Sequence, residues 1–312
     1  MKNEYSVIVP VFNEAGNITN LDSEIKSAMS HLRGYSEIIY INDGSTDSTL
    51  GELKSLHGVT IINLNRNYGQ AVALDAGFKA ADGNFIISLD GDGQNDPADI
   101  PKLVEKLTQD DLDVVAGWRK KRKDNGSINI LTRMGRLMRR LIISDVVHDT
   151  GCTLRVYKRE AAKSLDIGGE MHRYILPILK WKGFRIGEII VNHRPRVNGK
   201  SKYNCTKAIR GFIDLIKIWF IQKYSQRPLH LFGYLSLASF FVGFLSGFWT
   251  IYGKVVFGLS LNRNGWFFLT AFLFIAGIMF FSFGIIMDFL IRIHLNNSPY
   301  EKRYYVREII RK

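Results

Sequence analysis

Cysteine is almost absent from this chain of 312 residues. Only Cys152 and Cys205 occur, in no Cys-x-x-Cys or Cys/His spacing. That excludes a disulfide framework and a zinc ribbon, and it fits a reducing, cytosol-facing compartment. Two phosphate-binding signatures are missing as well: no Walker P-loop and no Gly-x-Gly-x-x-Gly run is present, so ATPase and dinucleotide-oxidoreductase readings lose their main support. Acid is scarce relative to base, with 29 Asp and Glu against 42 Lys and Arg, a net charge of +13. Such a balance favours partners that carry phosphate: nucleic acid, anionic lipid headgroups or nucleotides. From Arg119 to Arg140 nine basic residues face one acid, Asp124, and no aromatic residue is interleaved. Without stacking residues the patch does not read as a single-strand nucleic-acid surface, and no nucleic-acid partner is expected. The first residues, MKNEYSVIVPVFNEAGN, lack the basic, apolar and small-residue order of a signal peptide, so none is expected.

Charge is missing altogether from two long stretches. Between Arg227 and Lys254 lie 26 residues without Asp, Glu, Lys or Arg, and between Arg263 and Asp288 lie 24 more. A hydrocarbon core about 30 Å thick needs about 20 helical residues, so spans are expected at about 229–253 and 265–290. The short linker makes them a hairpin, with both flanks on one side. It carries two basic residues, whereas Arg196–Arg227 carries eight and the tail from Arg292 carries six. The positive-inside rule then puts the N-terminal domain and both termini in the cytoplasm. Upstream, Ile209, Phe212, Ile213, Ile216, Trp219 and Phe220 recur at helical spacing opposite Lys207, Arg210, Asp214 and Lys217. That pattern predicts an amphipathic helix in the headgroup plane. The expected organisation is an N-terminal domain over 1–204, the amphipathic helix over 205–227, a transmembrane hairpin over 228–290 and a basic cytosolic tail over 291–312.

Before residue 200, β-rich runs at Ser6–Phe12, Glu37–Asn42, Val59–Leu64, Phe85–Leu89 and Leu112–Gly117 alternate with helical stretches at Ile18–Arg33, Thr46–His57, Gln70–Ala81 and Pro97–Thr108. Alternation of this kind predicts an α/β domain, Rossmann-like, with a mostly parallel sheet and helices on both faces. Its ligand crevice belongs at the carboxyl ends of the strands. Polar clusters fall there: Asn13-Glu14, Asn42-Asp43-Gly44-Ser45, Asn65-Arg66-Asn67 and Asp90-Gly91-Asp92-Gly93-Gln94. Asp90 and Asp92, two residues apart at a strand end, offer paired hard oxygens that suit Mg²⁺ or Mn²⁺ with phosphate. An EF-hand is excluded, because Gln94 and Asn95 stand where Asp or Asn and then Gly belong. Ser45 or Thr46 reads as a helix N-cap, while Asp43 at the strand tip can accept a hydrogen bond from a nucleobase imide or a ribose hydroxyl. His148, His172 and His193 read as structural.

Taken together, Val7–Glu14, Asn42–Asp47, Asp90–Pro97 and Asn198–Tyr203 resemble the family 2 glycosyltransferases of GT-A fold. More narrowly they resemble the polyprenyl-phosphate glycosyltransferases, which include dolichyl-phosphate mannose synthase and the bacterial undecaprenyl-phosphate glucosyl and aminoarabinosyl transferases. By position, the resemblance implies that Pro10, Glu14 and Asp43 hold the nucleoside, with Asp90 nearby. It implies that Asp92 and Gln94, with Asp90, bind a Mg²⁺ or Mn²⁺ on the donor diphosphate. Arg119 and Arg133 are implied as receivers of the lipid phosphate, Asp149 as the catalytic aspartate, and Arg196, Ser201 and Lys202 as a segment that closes over the diphosphate. This chain departs from many relatives by reading Asp-Gly-Asp-Gly-Gln for Asp-Ala-Asp-Leu-Gln, and Gly-Cys-Thr-Leu-Arg for Gly-Phe-Arg.

The implied activity is inverting, metal-dependent transfer of one sugar from a nucleotide sugar, UDP-linked by preference, to undecaprenyl or another polyprenyl phosphate. It would take place at the cytosolic face of a bacterial inner membrane, against anionic membrane lipids, and would supply a lipid-linked sugar for envelope modification. Relatives exist as monomers and as tetramers, so a homo-oligomer stays open. Two other readings stand beside this one. A processive polysaccharide synthase is disfavoured by two spans and by the missing Gln-x-x-Arg-Trp motif, and an inert nucleotide- or headgroup-binding adaptor is disfavoured by both acidic clusters being intact.

Overall fold

The computed structural model describes residues 3–120, 147–169, 171–194, 220, 224, 228–261, 265–296 and 306–311. The chain divides into two compact units, Met1–Phe212 with Lys302–Lys312, and Ile213–Glu301.

In the first unit the elements run β1 (Tyr5–Val11), α1 (Ile18–Ser30), β2 (Ser36–Asn42), α2 (Thr49–Ser55), β3 (Thr60–Leu64), α3 (Gln70–Ala80), β4 (Phe85–Ser88), α4 (Ile100–Gln109), β5 (Val114–Trp118), β6 (Arg155–Lys158), α5 (Arg159–Lys163), α6 (Ile175–Trp181), β7 (Ile186–Ile190) and finally β8 (Val306–Arg311). The eight strands form one sheet in the order β7-β5-β6-β4-β1-β2-β3-β8. β1 pairs in parallel with both β2 and β4, β2 with β3, and β5 with β7. β6 and β8 run antiparallel to their neighbours. Six strands therefore deliver their carboxyl ends to one edge, as expected of a mostly parallel sheet.

Strand periodicity divides the core in two. Side chains alternate across a pleated strand. Accordingly, Val7, Val9 and Val11 of β1 and Ile38 and Tyr40 of β2 pack with Leu21 and Ile25 of α1 and with Ile100, Leu103 and Leu107 of α4. Ile8, Ile39 and Ile41 face the other way, onto Ala73, Leu74 and Phe78 of α3, Ala161 of α5 and Leu176 of α6. Apolar residues on both faces are what a sheet covered on both sides requires.

The basic tail expected over 291–312 is more than a tail: residues 306–311 form β8, which closes the edge of β3 with Ile61 opposite Ile310 and Asn63 opposite Glu308. The expected cap also differs. α2 begins at Thr49, and the Asp47 carboxylate accepts its N–H at 3.0 Å. Ser45 and Thr46 are drawn off to stitch the β1 and β2 loops together: Ser45 Oγ accepts the Asn13 N–H at 3.0 Å, and the Thr46 N–H donates to Asn13 Oδ1 at 2.8 Å.

The second unit contains α7 (Pro228–Phe257) and α8 (Gly265–Asn296). Pro228–Phe257 and Gly265–Leu290 are long and apolar enough to cross a bilayer, with mean hydropathies of 1.7 and 2.4. Small and hydroxylated residues line the seam between the helices. Ser236 Oγ donates to the Gly277 carbonyl at 2.8 Å, Thr270 Oγ1 donates to Ser246 Oγ at 2.9 Å, and Phe240 packs where a side chain on Gly277 would stand. Close backbone approach through small residues is how apolar helices associate without a hydrophobic driving force. Phe241, Phe248, Phe272 and Ile278 are left exposed on the outward faces. Of the expected amphipathic helix, only Phe220 and Tyr224 lie within the described residues.

Candidate active site

Strand order reverses at β1, which lies between β2 and β4, and a crevice opens at such a switch point. A cleft of about 250 Å³ occupies it, walled by Pro10–Phe12 and Glu14 from the end of β1, Asp43 from β2, Gly69–Gln70 at the head of α3 and Asp90–Asp92 from β4. Gly91 is needed at this wall, because a Cβ there would come within 2.6 Å of Val11 Cγ1. The buried Asp43 carboxylate accepts the Tyr68 N–H at 2.8 Å and the Gly69 N–H at 2.9 Å. Burial pushes its carboxyl above the usual carboxylate range, against the opposing pull of those two donors. Glu14 is half-buried and accepts a hydrogen bond from Asn17 Nδ2 at 2.9 Å.

Next along the same edge, Arg119 follows β5 and Asp149 lies in the loop that enters β6. They form a two-point ion pair, Nε to Oδ2 at 2.6 Å and Nη2 to Oδ1 at 3.0 Å, with both side chains nearly buried. Burial alone would raise the Asp149 carboxyl; the Arg119 hydrogen bond and charge, with the Arg119 and Gly151 N–H groups, outweigh it and hold the group below its ordinary value. Buried Arg155 folds the loop by donating to the carbonyls of Cys152 at 2.7 Å and Thr150 at 2.8 Å.

Residues 6–166 match the family described as Glycosyl transferase family 2. The chain belongs to that family. Among relatives of this glycosyltransferase is the dodecaprenyl-phosphate galacturonate synthase of Rhizobium johnstonii, 32% identical over 98% of this chain and 93% of the relative. Another is the undecaprenyl-phosphate 4-deoxy-4-formamido-L-arabinose transferase of Pseudomonas aeruginosa, 31% identical over 98% of this chain and 90% of the relative. In fold the glycosyltransferase is similar to glucosyl-3-phosphoglycerate synthase from Mycobacterium tuberculosis, solved with Mn²⁺ and UDP-glucose. The TM-score is 0.56, with 19% identity over 70% of this chain and 79% of that one. It is also similar to mannosyl-3-phosphoglycerate synthase from Rubrobacter xylanophilus, with a TM-score of 0.58 and 14% identity over 71% and 75% of the two chains. The domain is thus a GT-A-like mixed α/β sheet, followed by two apolar helices.

Within the glycosyltransferase cleft, negative charge is poorly compensated. Burial and the neighbouring Asp92 charge push Asp90 up to about 6, in spite of a Thr153 hydrogen bond and the charges of Arg119 and Arg155. Asp92 is buried, and its Oδ1 accepts the Gln94 N–H at 3.1 Å, which curls the loop. Among the described residues no three His, Cys, Asp or Glu side chains cluster as metal ligands. The available donors are two carboxylates and the Gln94 amide. That set fits a hard divalent ion that keeps waters and takes phosphate oxygens from a substrate, and such an ion would relieve the crowding of Asp90 and Asp92.

Pro10, Glu14, Asp43, Asp90 and Asp92 line one cleft, with Gln94 following on the same loop, and Arg119 and Asp149 form a pair on the same sheet edge. Arg133, Arg196, Ser201 and Lys202 lie outside the described residues. Gln70, which no sequence motif marks, joins the site by donating Nε2–H to Asp90 Oδ1 at 2.6 Å. Equally unmarked is the link from β7 back to the acidic loop: Asn95 bridges His193, and the Arg194 N–H donates to the Gln94 carbonyl at 2.9 Å. Arg194 further ties Asp96 to Glu24.

Proposed function

We propose that this glycosyltransferase moves one sugar from a nucleotide diphosphate sugar, UDP-linked by preference, to a polyprenyl phosphate, with inversion at the anomeric carbon. The observation that carries the reading is the shared sheet edge: an acidic cleft and an arginine-aspartate pair on a domain that precedes two bilayer-length helices. The two relatives named above act on polyprenyl phosphates, which supports the acceptor class. The Mn²⁺ and UDP-glucose of a fold neighbour support the donor side.

In this reading Asp43, with Pro10 and Glu14, receives the nucleoside. Asp90, Asp92 and Gln94 hold Mg²⁺ or Mn²⁺, which when bound supplies positive charge against the diphosphate. An oxygen of the lipid phosphate attacks the anomeric carbon, the bond from that carbon to the diphosphate breaks, and the electron pair leaves with UDP. The acceptor is already an anion at neutral pH, so it needs no strong general base. Asp149, kept ionised by Arg119, serves to orient Arg119 and the acceptor rather than to take a proton. Arg119 retains further N–H donors for the phosphate. Arg133 adds a second cation to the acceptor, and Arg196, Ser201 and Lys202 add donors over the diphosphate. The short linker between α7 and α8 makes them a hairpin, with the catalytic domain and both termini on one face. By the charge asymmetry of the flanks that face is cytoplasmic.

The test is to incubate the purified full chain with a panel of radiolabelled nucleotide sugars, polyprenyl phosphate and Mg²⁺ or Mn²⁺. An organic-extractable product labile to mild acid is expected. Long water-soluble polymer would indicate a synthase instead, and tight nucleotide binding without turnover across the panel would indicate an adaptor.

A further inference from the structure

Beside the Arg119–Asp149 pair stands a second contact that none of the roles above uses. Trp118 immediately precedes Arg119, and His148 immediately precedes Asp149. Their rings stack, with centroids 4.3 Å apart and planes 15° from parallel. Across from them is Glu188 of β7, whose strand neighbour is Ala116 of β5. Its Oε2 accepts the His148 backbone N–H at 2.7 Å, and its Oε1 takes the His148 ring Nδ1–H. Two successive residues at the end of β5 are thereby matched to two successive residues of the loop, one pair by stacking and one by charge. Glu188 fixes the loop from a third element.

Stability alone does not account for this arrangement. The His148 side chain is 61% exposed, and ion pairs with an exposed member contribute little to folding. What the contact does fix is direction: with its backbone N–H and its ring both held, His148 leaves the next residue, Asp149, little freedom to rotate away from Arg119. Pre-organising a charged pair before the substrate arrives removes an ordering cost from the reaction.

We propose that Glu188 and His148 are positioning residues that hold the Arg119–Asp149 pair in its acceptor-ready geometry through the Trp118–His148 stack. The proposal rests on the acceptor role given to Arg119 above. Neither residue needs to touch substrate.

The experiment compares Glu188→Ala, His148→Ala and His148→Phe in the purified full chain in detergent. Hydrogen–deuterium exchange is followed over peptides spanning residues 147–154, alongside KM for each substrate and Tm. Both alanine variants are expected to exchange faster over 147–154 and to raise the polyprenyl-phosphate KM about fivefold to tenfold, the size of a lost orienting hydrogen bond. The nucleotide-sugar KM and Tm should stay at the parent values. His148→Phe keeps an aromatic ring on Trp118 and the backbone N–H for Glu188, so it should recover most of the loss. Unchanged exchange in Glu188→Ala overturns the proposal. So does a fall in Tm with both KM values rising together, which marks a merely structural role. Faster exchange with an unmoved acceptor KM keeps the latch and overturns instead the acceptor role of Arg119.

Discussion

The Arg119 guanidinium grips Asp149 by two parallel hydrogen bonds, and Gly151 makes room for the grip: a Cβ on it would stand 3.0 Å from Arg119 Nη2. Because Asp149 is held below its ordinary value when folded, its contribution to stability is full above the unfolded carboxylate pKa of about 4 and is lost as pH falls through the lower folded value. Asp149→Asn should therefore be less sensitive to acid than the parent when thermal unfolding is followed between about pH 3 and 7. Turnover of the parent should show no ionisation of Asp149 above about pH 5. A limb near neutrality that disappears in Asp149→Asn would make the residue a base rather than an orienter.

Asp92 and Asp90 oppose each other electrostatically, which separates activity from stability at this loop. The raised Asp90 value costs stability as pH rises from about 4 to about 6, because the unfolded chain gives up that proton sooner. Asp92→Asn removes the repelling charge. In EDTA at neutral pH it should melt no lower than the parent, while turnover measured with Mg²⁺ or Mn²⁺ present falls by at least about a hundredfold. Mn²⁺ should raise the Tm of the parent and not that of the variant. Full activity of Asp92→Asn at limiting metal would remove Asp92 from the cation site.

Asp43 answers to two backbone donors, and truncation exposes both. Asp43→Ala leaves the Tyr68 and Gly69 N–H groups without their acceptor, and about 1–3 kcal/mol of stability is expected to go with it. Asp43→Asn keeps one acceptor oxygen and should melt between the two. UDP affinity, read by calorimetry, should fall more than about tenfold in both variants. Retained UDP affinity in Asp43→Asn would move the nucleoside away from β2.

The elements legible in the sequence are those whose evidence is local. β1 to β5 are short apolar runs, and α7 and α8 each hold more than 20 consecutive residues without Asp, Glu, Lys or Arg. β6 and β8 escape such a reading for a physical reason. Arg155-Val-Tyr-Lys158 has a base at each end, and Val306–Arg311 carries three charges in six residues; each becomes a strand because a partner strand stands beside it. The site divides in the same way. Asp43, Asp90 and Asp92 announce themselves as carboxylates at strand tips, whereas Gln70 and Glu188 acquire their roles only from neighbours distant in sequence.

The C-terminal strand supplies the last test. β8 covers the outer edge of β3, pairing Ile61 with Ile310 and Ile62 with Ile309, and Ile310 packs against the core. Deleting Val306–Lys312 uncovers that edge, and an exposed apolar strand edge is a template for association. The truncated chain should lose on the order of 1–2 kcal/mol from Ile310 burial and should aggregate in detergent by light scattering at concentrations where the parent is monodisperse. The proposed nucleotide cleft is walled by the ends of β1, β2 and β4, and β3 separates those strands from β8. UDP binding in the remaining dispersed fraction should therefore match the parent. If residues 306–312 act only as a solvated basic tail, Tm and dispersity will be unchanged by their removal, and the pairing of β8 with β3 will have no energetic weight.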